Sequence, residues 1–386
     1  MRSAASEDRP AKLGVYVHFP FCSIRCSYCD FPTVAGRDDR IERYLRALDR
    51  EIRGSRPHLP RDADTVFLGG GTPSRMTPDQ LARLLDALRA RFDLDARAEI
   101  TLEGNPESLT ADRLRGYRDL GVTRISVGVQ SLDDAVLKRV GRAHDSREAE
   151  RAVRDARAAG FPDVSLDLIA GLPGEALARW PETVRRCAAF GPDHVSVYLL
   201  ETDKDTPLAR SVRAGRTAVA GDDDQGALYE ATVRALEREG FALYEISNFA
   251  RGGRRSRHNL KYWTDAPYAG FGNGAHEYVD GARRSNRRDL DGYVEDVLSG
   301  RDPLAEEEPF DPERRLQEAL FLGLRVVEGV DLDLLSRRYA IDPRVRWREA
   351  FARAHDAGLT VVEGGRVRLT AAGRLRSNEL FAELLT

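Results

Sequence analysis

Three of the four cysteines of the chain, Cys22, Cys26 and Cys29, lie together in the run HFPFCSIRCSYCDF. Three residues separate the first pair and two the second, so one tight loop can aim three thiolates at a common point. Three sulfurs do not close a four-ligand site, and a four-iron cluster held on them keeps one iron open to a non-protein ligand. A structural zinc ion needs a fourth ligand, for which only His18 is near enough, and no second C-x-x-C half follows downstream. A disulfide framework is disfavoured by an odd cluster of three with one distant partner. Cys187 reads as a small buried hydrophobe on a helix.

Further groups able to do chemistry recur at the ends of short apolar runs. Gly69 to Ser74, GGGTPS, combine glycines that let a ligand approach with backbone groups that can bind a carboxylate or an amine. Alone, such a run is more often a tight turn into a helix. Glu103 in LEGNPES can accept from a ligand ammonium, Gln130 stands similarly in GVQS, and Arg142 follows in VGRAHD. Asp167 sits among apolar residues in SLDLIAGLPG, where an unpaired carboxylate is costly, so it needs a partner or a ligand. Five run ends each carrying a polar or glycine feature weigh more together than any one of them.

The elements that must position these groups are alternating strands and helices. Strands are predicted at 14–19, 65–68, 99–102, 124–127, 164–169 and 194–200, and helices at 39–53, 77–91, 110–120, 147–159 and 175–190. Thr77 before Pro78, and Thr110 before Ala111, are suited to cap their helices. Six βα units predict a parallel sheet, curled into an open partial barrel or laid flat and doubly wound; in both, ligands gather at the carboxyl ends of the strands.

The C-x-x-x-C-x-x-C spacing after a strand resembles the signature of the radical S-adenosylmethionine (SAM) superfamily. Its surroundings resemble the group that contains oxygen-independent coproporphyrinogen III oxidase and the HemW heme chaperones. The resemblance implies a partial (β/α)6 barrel over residues 1–205, with Cys22, Cys26 and Cys29 holding a [4Fe-4S] cluster. It assigns Tyr16, Tyr28, Gly70, Gly71, Thr72, Glu103, Gln130, Arg142 and Asp167 to SAM binding, some of the last four to a second SAM found in the oxidase. It also implies reductive cleavage of the SAM carbon–sulfur bond, in which the protein binds, orients and excludes water.

Two departures point away from the oxidase. Phe31 stands where the oxidase has a fourth cysteine, and only about a dozen residues precede the first strand, as in the HemW group. Farther along lies SNFARGGRRSRHNLKYWTDAPYAGFGNGAHEY. His258 and Tyr262 share a helical face there, with Trp263 beside them. A histidine among aromatics is more often a hydrogen-bonded core group than a heme ligand. HNLKYW resembles the H-N-x-x-Y-W motif associated with heme binding in the HemW group, which makes His258 the expected ligand. Arg251, Arg254, Arg255 and Arg257 are available to pair with propionates or to form a solvated loop. His276, in GFGNGAH, resembles the wider family without an assigned role.

Residues 206–300 read as an α+β extension, and the acidic stretch 301–312 as a linker. Residues 305–386 outline a winged-helix-like domain, with helices at 313–327, 331–339 and 344–357 and a hairpin turning at Gly364 and Gly365. Its third helix mixes acids with arginines, so no nucleic acid is expected. With 60 Lys plus Arg against 63 Asp plus Glu, the net charge of -3 exerts no pull toward nucleic acid or anionic membrane. No leader or membrane-spanning run is visible, which predicts a soluble, cytoplasmic protein where thiols stay reduced. Two functions fit: a heme chaperone delivering heme to client hemoproteins, including membrane-associated respiratory enzymes, or a coproporphyrinogen III decarboxylase.

Overall fold

The computed structural model describes residues 11–54 and 56–385. The first ten residues, on which the leader and the short N-terminal segment were judged, lie outside the described residues.

One twelve-stranded sheet organises the chain. Its parallel centre comprises β1 (Leu13–Phe19), β2 (Asp62–Gly70), β3 (Asp93–Gly104), β4 (Arg124–Gln130), β5 (Asp163–Ala170) and β6 (His194–Leu199), adjacent in that order. All six predicted strands are present, and β2 and β3 run longer than the apolar cores that revealed them. Outward side chains such as Val15, Val66, Leu102, Val127 and Leu166 are fully buried under α1 (Ile41–Arg53), α2 (Pro78–Arg91), α3 (Ala111–Asp119), α4 (Ser146–Ala158) and α5 (Trp180–Ala189). Inward side chains are polar or aromatic and line a lumen. Thr77 caps α2 in a full capping box with Gln80, and Thr110 accepts from Arg113 N at the start of α3. The helix predicted from 175 begins instead at Trp180, where Pro181 in its first turn suits a helix start.

The extension shares this sheet. After α6 (Asp222–Arg238), the strands β7 (Ala242–Glu245) and β8 (Asn248–Ala250) extend the β6 edge. α7 (Arg257–Trp263), carrying HNLKYW, leads into β9 (Tyr268–Phe271), which runs parallel to β1, followed by β10 (His276–Val279) and β11 (Ala282–Asn286). α8 (Leu290–Ser299) packs beside α1. The presumed linker holds the edge strand β12 (Leu304–Pro309). Its acidic composition reads as loop, yet opposite it lie Arg283 and Arg284, and Arg284 Nε donates to Glu307 at 2.8 Å.

The C-terminal domain has its own core around Leu320, Leu335, Trp347, Val367 and Leu384. It contains α9 (Pro312–Gly323), helices Leu332–Tyr339 and Arg348–Asp356, and the hairpin Thr360–Glu363 with Arg366–Leu369, whose turn glycines both have positive φ. This domain spans the barrel's open side. On one edge Ile246 N and Val327 N exchange bonds with Arg325 O (3.1 Å) and Tyr244 O (3.0 Å). On the other, Arg283 pairs with Glu318 of α9 at 3.0 Å. Among the described residues, no helix is long and apolar enough to cross a membrane.

Candidate functional site

The cysteines occupy the loop leaving the carboxyl end of β1, each half-buried. Gly71 N donates to Phe19 O at 2.7 Å and Thr72 N to Phe21 O at 2.9 Å, so the glycine turn after β2 fastens the cysteine loop by backbone bonds. A Cβ on Gly71 would stand 2.7 to 2.9 Å from backbone atoms of Phe19, Pro20 and Phe21, so only glycine fits. Gly70 has φ +108° and rests on the His18 ring. Thr72 Oγ1 donates to Cys22 Sγ at 3.5 Å, and Arg142 Nη1 lies 3.6 Å from Cys26 Sγ. Burial, as the leading cause, pushes the Cys22 and Cys29 thiols up.

Among the described residues, no three His, Cys, Asp or Glu side chains gather as a single-ion site requires. An iron–sulfur cluster binds each thiolate on a different iron, so separated sulfurs suit it. His18 is buried with both nitrogens engaged, Nδ1 with Tyr16 Oη at 3.0 Å and Nε2 with Pro32 O at 3.3 Å. Desolvation lowers its pKa to about 4. It orients Tyr16 and the loop rather than completing a zinc tetrahedron.

The expected SAM residues converge on the same mouth. Glu103 Oε2 accepts from Gly70 N at 3.1 Å, and burial, with Asp167 nearby, raises its pKa to about 8. Asp167 accepts from Ser126 Oγ at 2.9 Å and is likewise raised by burial. Among the described residues no cationic side chain pairs with either carboxyl, so a cationic ligand held there would supply the missing charge. Arg142 is held by Asn105 Oδ1 and Gly128 O, both at 2.7 Å, with Tyr28 Oη at 3.5 Å, while its buried Nε has no acceptor among the described residues. Gln130 takes φ +65° where β4 ends, an uncommon conformation outside glycine that turns the chain into the mouth. Uncompensated carboxyls, an unsatisfied guanidinium nitrogen and a glycine cradle fit an amino-acid sulfonium such as SAM. When bound, an open iron and SAM supply reductive chemistry at a carbon–sulfur bond; Cys22, Cys26 and Cys29 would hold the metal, while Glu103, Asp167 and Arg142 would orient the ligand.

Two mouth residues escaped the sequence reading. Asn105 joins Arg142 to Thr72, its Nδ2 donating to Thr72 Oγ1 at 3.1 Å; its place beside Pro106 at a strand end was the available clue. Tyr198 keeps 45% of its surface accessible, yet Asp167 and Glu103 both act on its phenol, which places the ring in the lumen. Strand alternation with His194 and Ser196 could have located it.

His258 lies elsewhere, on the barrel floor, with no exposed surface. Nδ1 bonds the Thr65 hydroxyl at 2.8 Å, Nε2 bonds Tyr262 Oη at 2.9 Å, and the ring stacks on Phe67. Burial lowers its pKa to about 3. Glu99 accepts from the backbone N–H groups of Arg257 and His258, both at 2.9 Å, fixing the start of α7. In this arrangement neither ring nitrogen is free for iron. Of the basic run, Arg251 stacks on Phe241, Arg255 pairs with Glu328 at 2.7 Å, and Arg257 pairs with Asp64 at 2.9 Å, so these three are committed to protein partners. Cys187 is fully buried on α5, its thiol pushed up to about 12 by burial.

Comparison with known proteins agrees with this fold. Residues 16–187 match the Radical SAM superfamily model, and residues 310–376 match the HemN C-terminal domain. The heme chaperone HemW of Bacillus subtilis is 32% identical over 96% of this chain and 98% of its own length. HemW of Mycobacterium tuberculosis is 37% identical over 96% of this chain and 94% of its own. The structure of Escherichia coli coproporphyrinogen III oxidase (HemN) superposes with a TM-score of 0.86, covering 97% of this chain and 90% of that one, at 23% identity, which establishes the shared fold. The chain therefore belongs to the radical SAM superfamily and, within its coproporphyrinogen oxidase-like group, to the HemW family.

Proposed function

We propose that this protein is a cytoplasmic heme chaperone of the HemW type, which binds heme, carries a [4Fe-4S] cluster with SAM at the barrel mouth, and passes heme to client hemoproteins such as respiratory enzymes. The observation that carries this reading is near full-length similarity to proteins named heme chaperones, at 32% and 37% identity. Phe31 supports it. The oxidase has a cysteine at this position; here the side chain is a phenylalanine 55% exposed on the cluster loop. In this reading the HNLKYW helix contributes the aromatic face of Tyr262 and Trp263, and His258 fixes that face from behind.

The competing reading, oxidative decarboxylation of coproporphyrinogen III, draws on the same barrel and cofactor residues, because a fold and cofactor site do not set the reaction. One sample discriminates the two. Anaerobically reconstituted protein is titrated with heme and then assayed for protoporphyrinogen with SAM and a reductant. Stable heme uptake without decarboxylation is expected; sustained turnover to protoporphyrinogen would overturn the chaperone reading.

A further inference from the structure

The barrel's open side holds a cleft of about 320 Å³, between the β9–β10 wall, α7 and α9. Tyr262, Trp263, Tyr268 and Tyr278 line it, together with His276 and Arg283. The rings of Tyr262 and Tyr268 meet edge to face at 4.7 Å, and those of Tyr268 and Tyr278 lie 6.4 Å apart. Such a lining offers a flat, polarisable wall to a planar macrocycle. Two buried donors there, Trp263 Nε1 and Arg283 Nε, have no acceptor among the described residues.

His276 differs from His258 in each property that matters to a metal. It is exposed rather than sealed. Its ring makes no hydrogen bond or ion pair among the described residues, whereas both nitrogens of His258 are occupied. Burial, Arg283 and Arg288 hold its pKa below the ordinary imidazole value, so the ring is neutral and its lone pair is available near pH 7. Tyr262 lines the cleft while its hydroxyl bonds His258, so the histidine of HNLKYW stands one residue behind the wall.

We propose that heme binds in this lateral cleft, that His276 supplies the axial imidazole, and that His258 acts through Tyr262 as a positioning residue. The inference rests on the heme-binding reading above and specifies its site. The bond formed is iron to imidazole nitrogen, with no change of redox state and no proton to displace. Arg283, paired with Glu318, offers its free Nε to a propionate. The cleft is open on one side, so a porphyrin seated there would leave part of its ring for a client to take.

The test is a heme titration of the full-length, cluster-reconstituted chain, followed by absorption and EPR spectra, with His276→Ala and His258→Ala alongside wild type. His276→Ala removes an exposed side chain that makes no hydrogen bond among the described residues, and circular dichroism checks its fold. It should lose the imidazole-ligated spectrum, regain it when free imidazole is added, and bind heme at least about tenfold more weakly, since loss of outer-shell partners alone costs a metal site 10- to 100-fold. His258→Ala should weaken binding yet keep the imidazole-ligated spectrum. A wild-type spectrum and affinity in His276→Ala, or loss of the ligand signature only in His258→Ala, overturns the assignment while the chaperone reading stands. No heme uptake by wild type overturns both.

Discussion

Replacing Glu103 by glutamine separates what the buried carboxyl costs from what it is for. Burial first and Asp167 second raise the Glu103 carboxyl from 4.5 to about 8, against one opposing backbone bond from Gly70. An acid whose native pKa lies above its unfolded value contributes its full stability below the unfolded value and loses it as pH rises through the native one. The window here therefore runs from 4.5 to about 8. Within it the loss is at most about 1.4 kcal/mol per pH unit, or about 2.7 kcal/mol between roughly pH 5.5 and 7.5. Glu103 is only partly shielded by area and faces a lumen that admits water, so about 1–2 kcal/mol is expected. Urea unfolding of the cluster-free chain at both pH values measures it. Glu103→Gln should match wild type near the lower pH, exceed its stability by that amount near the upper, and bind SAM more weakly once reconstituted. A stability difference that stays constant with pH would refute the claim that an uncompensated carboxyl faces the lumen.

Two other substitutions probe the fastenings at either end of the barrel. Gly71→Ala drives a methyl into the backbone of Phe19, Pro20 and Phe21; iron bound per chain after reconstitution should fall sharply while far-UV circular dichroism stays that of wild type, and undiminished iron would show that the cysteine loop does not depend on this contact. Thr65→Val strips the hydroxyl from His258 Nδ1 in a fully buried setting; the variant should lose about 1–3 kcal/mol in urea unfolding, and a loss under about 0.5 kcal/mol would show that the floor repacks around the orphaned nitrogen.

The barrel was legible because its strands are buried on one face and its helices amphipathic, a pattern that survives in one dimension. The cysteine loop and the strand-end residues Glu103, Gln130 and Asp167 were legible for a related reason: a parallel βα repeat delivers successive strand ends to one mouth. What did not show depends on pairing between distant segments. Leu304–Pro309 looked like a linker because its glutamates gain meaning only opposite Arg283 and Arg284. The extension looked separate because nothing local tells Tyr268–Phe271 to run parallel to Leu13–Phe19. His258 stood out by its motif, but its burial comes from Thr65 and Phe67, nearly 200 residues earlier in the chain.

The two ends of the lumen differ in how completely their polar groups are satisfied, and that contrast separates scaffold from site. On the floor, Asp163 is neutralised by Arg124 at 2.6 Å, although its Oδ1 has no hydrogen-bond partner among the described residues, Glu99 accepts from two backbone N–H groups, and His194 bridges Ser165 at 2.8 Å and Tyr244 at 2.9 Å. Charges partnered within the protein in this way hold strands and helices together and leave no net charge for a ligand to balance. At the mouth, Glu103 has one backbone donor, Asp167 only neutral hydroxyl donors, and the Arg142 Nε no acceptor. A folded chain tolerates that imbalance where a bound molecule removes it, because each unmatched group otherwise subtracts from a small net stability. The same criterion divides the two histidines: His258 is satisfied twice and behaves as floor, while His276, without a hydrogen bond among the described residues and beside an aromatic cleft, keeps a lone pair that a heme iron would accept.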